Sequence, residues 1–146
     1  VFVGTSKRKL DDKGRIVLSA ALRDELHGPG YIALADGCLA IWTDEGYREF
    51  TDGLRRRVRQ GSEPAVKPVV LRKLAASTDR IRADSQGRVT LPAALLESAG
   101  IGSGAGTEVV VNGALDRIEI WSPDVWDRLS DEGNEALEDA MREGGL

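Results

Sequence analysis

The sequence is poor in the residues that most chemistry needs. Among its 146 residues there is one cysteine, Cys38, and one histidine, His27. A single cysteine excludes an internal disulfide and any multi-cysteine metal site, and it fits a reducing cytoplasm. No apolar run approaches the roughly 18 residues of a membrane span. The opening residues also lack a basic segment followed by an apolar stretch, which argues against secretion. Aromatics make up only 5% of the chain, so a core must come mainly from aliphatic side chains within the 41% that is hydrophobic.

Positive charge is also in deficit: the formal net charge is −4. An average of this kind argues weakly against nucleic acid but conceals how the charges are placed. From Arg48 to Arg82 there are ten bases, including Arg55, Arg56, Arg57 and Arg59, against four acids. From Ser122 onward eight acids face only Arg128 and Arg142. The acidic end supplies the negative total and leaves room for a basic face elsewhere.

What is present is a repetition. "LDDKGRIVLSAAL" from Leu10 returns as "ADSQGRVTLPAAL" from Ala83, 73 residues later. The same offset sets Thr5 on Thr78, Lys9 on Arg82, and Ala21-Leu22 on Ala94-Leu95. After a slip of six residues, "LAIW" ending at Trp42 meets "IEIW" ending at Trp121. Each Trp precedes a helix-start signal, Thr43-Asp44-Glu45 or Ser122-Pro123-Asp124. We read an internal duplication of one plan: strand, turn, strand, short helix, hairpin, helix.

Ile16 and Leu18, or Val89 and Leu91, alternate with the period of a strand. Short helices are expected from Ser19 or Pro92 to about Gly28 or Gly100. The first hairpin turns at Asp36-Gly37. The second has two candidate turns: Asn112-Gly113 carries the better local signal, whereas alignment with the first half favours Leu115-Asp116. Between the halves, residues 43–60 and 64–76 read as helices broken at Gly61-Ser62, with Pro68 in the first turn of the second or delaying its start. Residues 130–143 read as a solvated helix that frays at Gly144-Gly145.

The turn Asp-x-x-Gly-Arg has a physical logic. Gly14 and Gly87 accept the positive φ that a strand-to-strand turn demands. Asp11 and Asp84 either accept hydrogen bonds from the turn's backbone N–H groups or brace the arginine that follows. Arg15 and Arg88 emerge at the rim, where a guanidinium held by a carboxylate is set in advance for a phosphate or a guanine edge. The competing reading is a plain turn with a surface ion pair worth about 0–1 kcal/mol. Lys7, Arg8, Lys9 and Lys13 cluster around the first copy. The second has Gln86 in place of Lys13, which predicts a weaker contact.

Other stretches point away from catalysis. Ser19, Asp24 and His27 supply the residue types of a triad but crowd one short helix, with no nucleophile elbow or oxyanion hole. "GIGSGAG" lacks the Gly-Lys-Ser/Thr ending of a phosphate loop and reads as a connection. Trp42 and Trp121 end apolar strands and read as core or subunit-interface packing rather than base-stacking platforms. The arginines of "RRRVR" cannot share one narrow helical stripe; they read as a solvated face, as partners for a neighbouring subunit's acidic tail, or as DNA contacts. No catalytic residue, metal site or cofactor is assigned.

"VFVGT…LDDKGRIVLSAALRDEL", "ADSQGRVTLPAALLESAGI" and "RIEIW" together resemble the MraZ family of transcriptional regulators, within the SpoVT–AbrB swapped-hairpin superfamily. The resemblance spans residues 1 to 128. It implies an α+β fold in which two tandem AbrB-like swapped-hairpin half-motifs form a pseudo-symmetric β-barrel with flanking helices. The expected divisions are 1–48 and 77–128 for the half-motifs, 49–76 for a helical linker and 129–146 for an acidic tail. It further implies a ring-shaped homo-oligomer at the cytoplasmic nucleoid. That ring would bind short direct repeats in double-stranded DNA upstream of a division and cell-wall gene cluster. By the same resemblance, Lys13 and Arg15 are the leading DNA contacts, with Arg88, Lys7, Arg8 and Lys9 around them and Asp11, Gly14, Asp84 and Gly87 supporting the turns. Ser19 departs from the pattern, which has the proline seen at Pro92. An alternative is an antitoxin-like module whose acidic tail wraps a partner protein.

Overall fold

The computed structural model describes residues 1–60 and 64–144. Its first half runs through β1 (Thr5–Lys9), β2 (Arg15–Val17), α1 (Ala20–Leu26), β3 (Gly30–Leu34), β4 (Leu39–Thr43) and α2 (Asp44–Gln60). After α3 (Pro68–Ser77) the plan repeats as β5 (Asp79–Ile81), β6 (Arg88–Thr90), α4 (Ala93–Ser98), β7 (Glu108–Gly113), β8 (Ile118–Trp121) and α5 (Pro123–Arg142). The duplicated order read from the sequence is present element by element. Pro68 does delay its helix, standing as the first residue of α3. The expected break at Gly61-Ser62 lies outside the described residues, as does Gly145.

Local chemistry sets the helix starts. Ser19 Oγ accepts from the Leu22 N–H at 3.3 Å, Thr43 Oγ1 from Gly46 at 2.9 Å and Ser122 Oγ from Val125 at 3.4 Å. Each hydroxyl satisfies an N–H that the first helical turn leaves without a partner. Asp44 and Glu45 add negative charge at the positive end of α2.

All strand pairs are antiparallel, and four of the six join one half to the other: β1 to β7, β2 to β6, β5 to β3 and β4 to β8. Only the hairpins β3–β4 and β7–β8 stay within a half. The result is a six-stranded sheet, β1-β7-β8-β4-β3-β5, and a separate two-stranded ribbon, β2-β6. Contrary to expectation, the described strands do not close into one barrel. The ribbon strands are three residues each and lead almost at once into the helix caps at Ser19 and Pro92, too short to bridge the sheet edges.

The main core lies between the sheet and the ribbon. Ile32, Leu39, Ile41, Val109, Ile118 and Ile120 from the sheet meet Ile16 and Val89 from the ribbon, with Leu22, Leu26 and Leu96 from the short helices. The sheet's other face carries α2 and α3 over Ala33, Ala40 and Trp42, and the start of α5 over Cys38, Val110 and Trp121. Trp42 stacks on Phe50 at 4.8 Å between ring centres and is 2% exposed, so it serves the core. Burial pushes the Cys38 thiol up to about 12, which leaves no thiolate at neutral pH.

The second hairpin turns at Leu115-Asp116. Gly113 pairs with Ile118, the Ala114 N–H donates to Arg117 O at 2.8 Å, and Leu115 adopts φ 68°. The Asn112-Gly113 signal loses because both residues are needed in the strand. Phe2 and Leu115 exchange backbone hydrogen bonds, which brings the N-terminal segment so close that a Cβ at Gly113 would stand 2.1 Å from Val3 N. The helix expected from residue 130 is instead continuous with the one starting at Pro123.

Gly30 is equally confined: a Cβ there would lie 2.2 Å from the Trp42 carbonyl oxygen. Gly30→Ala is expected to destabilise the protein by about 3 kcal/mol through backbone displacement. Gly53→Ala, where a Cβ meets only the Arg56 guanidinium at 3.8 Å, should gain about 0.5–1 kcal/mol of helix stability. Urea midpoints of both variants against the parent check the opposite signs.

Candidate nucleic-acid interface

The two Asp-x-x-Gly-Arg turns have the same geometry. In the first, Asp11 Oδ1 accepts from the backbone N–H groups of Lys13 and Arg15, both at 2.9 Å, while Oδ2 accepts from Arg15 Nε at 2.7 Å. In the second, Asp84 Oδ1 accepts from Gln86 and Arg88 at 2.9 Å, and Oδ2 from Arg88 Nε at 2.8 Å. The two roles weighed for the aspartate are therefore combined in one carboxylate. Gly14 and Gly87 make the bend at φ 73° and 77°. Each arginine is held through Nε, and its terminal nitrogens make no hydrogen bond among the described residues.

The ribbon turns these arginines into one surface. Ile16 and Val89 point into the core, so Arg15, Val17, Arg88 and Thr90 occupy the opposite face. Arg15 stands opposite Thr90 and Val17 opposite Arg88, which makes the arginines diagonal neighbours about 7–8 Å apart at the backbone. The ribbon is tied at both ends by reciprocal bonds, Leu18 N–H to Gly87 O and Leu91 N–H to Gly14 O, each 2.9 Å. A DNA major groove, about 12 Å wide, admits a two-stranded β-ribbon.

The surrounding bases are less uniform than the sequence suggested. On β1, Lys7 and Lys9 are exposed on one face while Arg8 points the other way and donates from Nε to Val17 O at 2.8 Å. Lys7, Arg8 and Lys9 line a shallow depression of about 330 Å³, where Glu108 offsets part of their charge. Because β1 is a sheet edge, its lysines also discourage strand pairing with another chain. Lys13 is exposed at the tip of its turn.

Arg23 was missed by sequence reasoning. From α1 it lies across the second turn, with Nη1 2.8 Å from where a Cβ on Gly87 would stand. The counterpart of Arg23 in the second half is Leu96, which is fully buried, so the first turn has no equivalent cover. Nothing local could have revealed a contact that crosses between the halves. Val17, 48% exposed on the ribbon's open face opposite Arg88, was likewise unmarked.

The residue types of a triad are occupied elsewhere: Ser19 caps α1, and Asp24 lies 3.9 Å from Arg23. Among the described residues no group of three or more His, Cys, Asp or Glu side chains is placed to hold a metal ion. Of the "RRRVR" arginines, Arg55 pairs with Asp52 and Arg57 donates to Pro64 O at 2.7 Å. No helix in the described residues is long and apolar enough to cross a membrane.

The family model described as "MraZ protein, putative antitoxin-like" matches residues 1–67 and 74–143, which includes both turns and all of the ribbon. The chain belongs to the MraZ family. Relatives named transcriptional regulator MraZ agree with this placement. The protein of Cutibacterium acnes is 39% identical over 142 residues, covering 95% of this chain and 94% of its own. That of Corynebacterium diphtheriae is 37% identical over 144 residues, covering 98% and 96%. That of Rhodococcus opacus is 40% identical over 128 residues, covering 86% and 84%.

The braced turns should respond to acid. Backbone donation from Arg15, followed by that from Lys13 and the Arg15 guanidinium, outweighs desolvation and holds the Asp11 carboxyl below its ordinary value. Asp84 is lowered in the same way, led by the Arg88 N–H. A depressed carboxylate contributes stability that is complete above its unfolded pKa, near ~3.9, and is lost as pH falls through the folded value. Urea midpoints of the parent should therefore fall below about pH 4. The Asp11→Asn/Asp84→Asn double variant should show a shallower acid limb.

Proposed function

We propose that this chain is a sequence-specific DNA-binding transcriptional regulator. The observation that carries the reading is the ribbon: two aspartate-braced arginines share its open face while the core anchors its other side. Arg15 and Lys13 at the first turn make the leading contacts, with Arg15 directed to a guanine edge or phosphate and Lys13 to the phosphate backbone. Arg88 contributes less, because Gln86 replaces the lysine beside it. Lys7, Arg8 and Lys9 add to the positive field. No step of bond-making chemistry or cofactor is invoked.

The exchange of strands between halves supports the swapped-hairpin arrangement of AbrB-type domains, with half-motifs at 1–48 and 77–128, a helical linker at 49–76 and an acidic tail at 129–146. One chain offers too few phosphate contacts for tight binding at physiological salt. A ring of several copies reading short direct repeats, upstream of a division and cell-wall gene cluster, would multiply them through effective concentration. Such a protein works in the cytoplasm at the nucleoid. Relatives named as transcriptional regulators over nearly their whole length favour this assignment.

A second reading, an antitoxin-like module that binds a partner protein through α5, draws on the exposed acidic helix and on the family description. The duplicated half-motif favours the first, since it supplies both halves of the ribbon within one chain.

Gel shifts with upstream DNA from the protein's own locus test the assignment. Arg15→Ala should lose about 1–3 kcal/mol of binding, roughly tenfold to a hundredfold, and relax specificity at one base pair. Lys13→Ala should weaken all sequences alike and lower the salt slope by about 1. Arg88→Ala should cost less at the DNA than Arg15→Ala and lower the folded protein's stability. An Arg15→Ala protein that binds as tightly as the parent would falsify the assignment.

A further inference from the structure

The duplication is broken at one edge of the sheet. By the offsets that align the halves, β1 on β7 corresponds to β5 on β3. Lys7 opposite Val110 matches Arg80 opposite Tyr31, and Ser6 opposite Val111 matches Asp79 opposite Ile32. Before β1 the chain stays extended: Gly4 O accepts from the Gly113 N–H at 2.8 Å, and Phe2 exchanges bonds with Leu115. The Phe2 side chain, 4% exposed, enters the core cluster that contains Leu22. Before β5 the chain runs instead as α3, which ends at Ser77. Beyond Ile32, β3 therefore has no strand beside it on that edge, and Leu34, the counterpart of Gly113, is left 41% exposed. Ala75 holds the place in the repeat that Phe2 holds in the first half.

The result is a groove of about 360 Å³ between α3 and α4, walled by Leu34, Val70, Leu74 and Leu95, with Lys73 and Ser98 as polar groups. Leu95, the counterpart of Leu22, belongs to the main core, so the groove opens onto it. Among the described residues the Lys73 ammonium forms no ion pair and the Ser98 hydroxyl no hydrogen bond. Ser77, which also borders the groove, already donates to Lys73 O at 2.7 Å. Glu97, next to Ser98, accepts from Ser103 at 2.8 Å. An apolar wall beside one free ammonium and one free hydroxyl selects an apolar molecule that carries a single carboxylate. The first half shows what body suits such a place, because an aromatic side chain fills its counterpart.

We propose that this groove binds a small apolar monocarboxylate with an aryl or short acyl body. The body lies over Leu34, Val70, Leu74 and Leu95, and the carboxylate accepts from Lys73 Nζ and Ser98 Oγ. None of the lining residues belongs to the ribbon or its turns, so the site stands apart from the DNA-binding reading.

Isothermal titration of the full chain with phenylbutyrate tests the site. Phenylbutyrate should bind saturably, once per chain. Phenylbutanol has the same body without the charge, and acetate has the charge without the body; each should bind roughly tenfold more weakly or worse. Lys73→Gln should weaken phenylbutyrate by about tenfold and leave phenylbutanol unchanged, a split that general damage to the groove would not give. Val70→Trp fills the groove from a position 44% exposed. It should abolish binding of both compounds while keeping a urea midpoint near the parent's. Arg72→Gln, on the same helix but outside the lining, should bind like the parent. A parent that gives no saturable heat overturns the proposal. So does an equal loss in Lys73→Gln and Arg72→Gln, or undiminished binding by Val70→Trp.

Discussion

The pair of hydrogen bonds from Leu18 to Gly87 and from Leu91 to Gly14 is the constraint on which the rest depends. Each half closes the other half's turn. The bond can form only when both glycines have made their bends and both strands have left them in register, so neither turn is complete in a separate half. The same reciprocity extends through β1 on β7 and β5 on β3. Ile16 and Val89 then fall into one core, and the alternation of a strand obliges Arg15 and Arg88 to face away from it.

Within that symmetry the two turns differ through what surrounds them. Their internal hydrogen bonds agree within 0.1 Å for each aspartate contact. Yet Gly87 lies buried beneath Arg23, whereas Gly14 is half-buried with only Leu91 O near it. Lys13 stands at one tip and Gln86 at the other. Duplication supplied two equal scaffolds, and neighbouring side chains covered the glycine of one and made the tip of the other more basic. The helices divide in the same manner: α2 is followed by α3, while most of α5 extends alone.

Much of this was legible beforehand. The order of elements followed from the repeated apolar alternation and the capping residues Ser19, Thr43 and Ser122. The aspartate–arginine brace was foreseeable because both partners lie within five residues of each other. Three features were not. The turn at Leu115-Asp116 was obscured by a stronger local signal at Asn112-Gly113, which the approach of Phe2 and Val3 overrode. The expected barrel resolved into a sheet and a ribbon because β2 and β6 are short. The basic cluster of Lys7, Arg8 and Lys9 was divided, since adjacent residues on a strand point to opposite faces.

The sequence by itself determined the turns, the helix starts and the duplication, because each depends on hydrogen bonds and backbone preferences spanning a few residues. Only the tertiary structure decided that Arg15 and Arg88 share a face, that Arg23 covers Gly87 and that α5 packs on the sheet through Val125 and Trp126 at its start. Those relations join residues tens of positions apart, and they exist only once the strands of the two halves have paired and buried a common core.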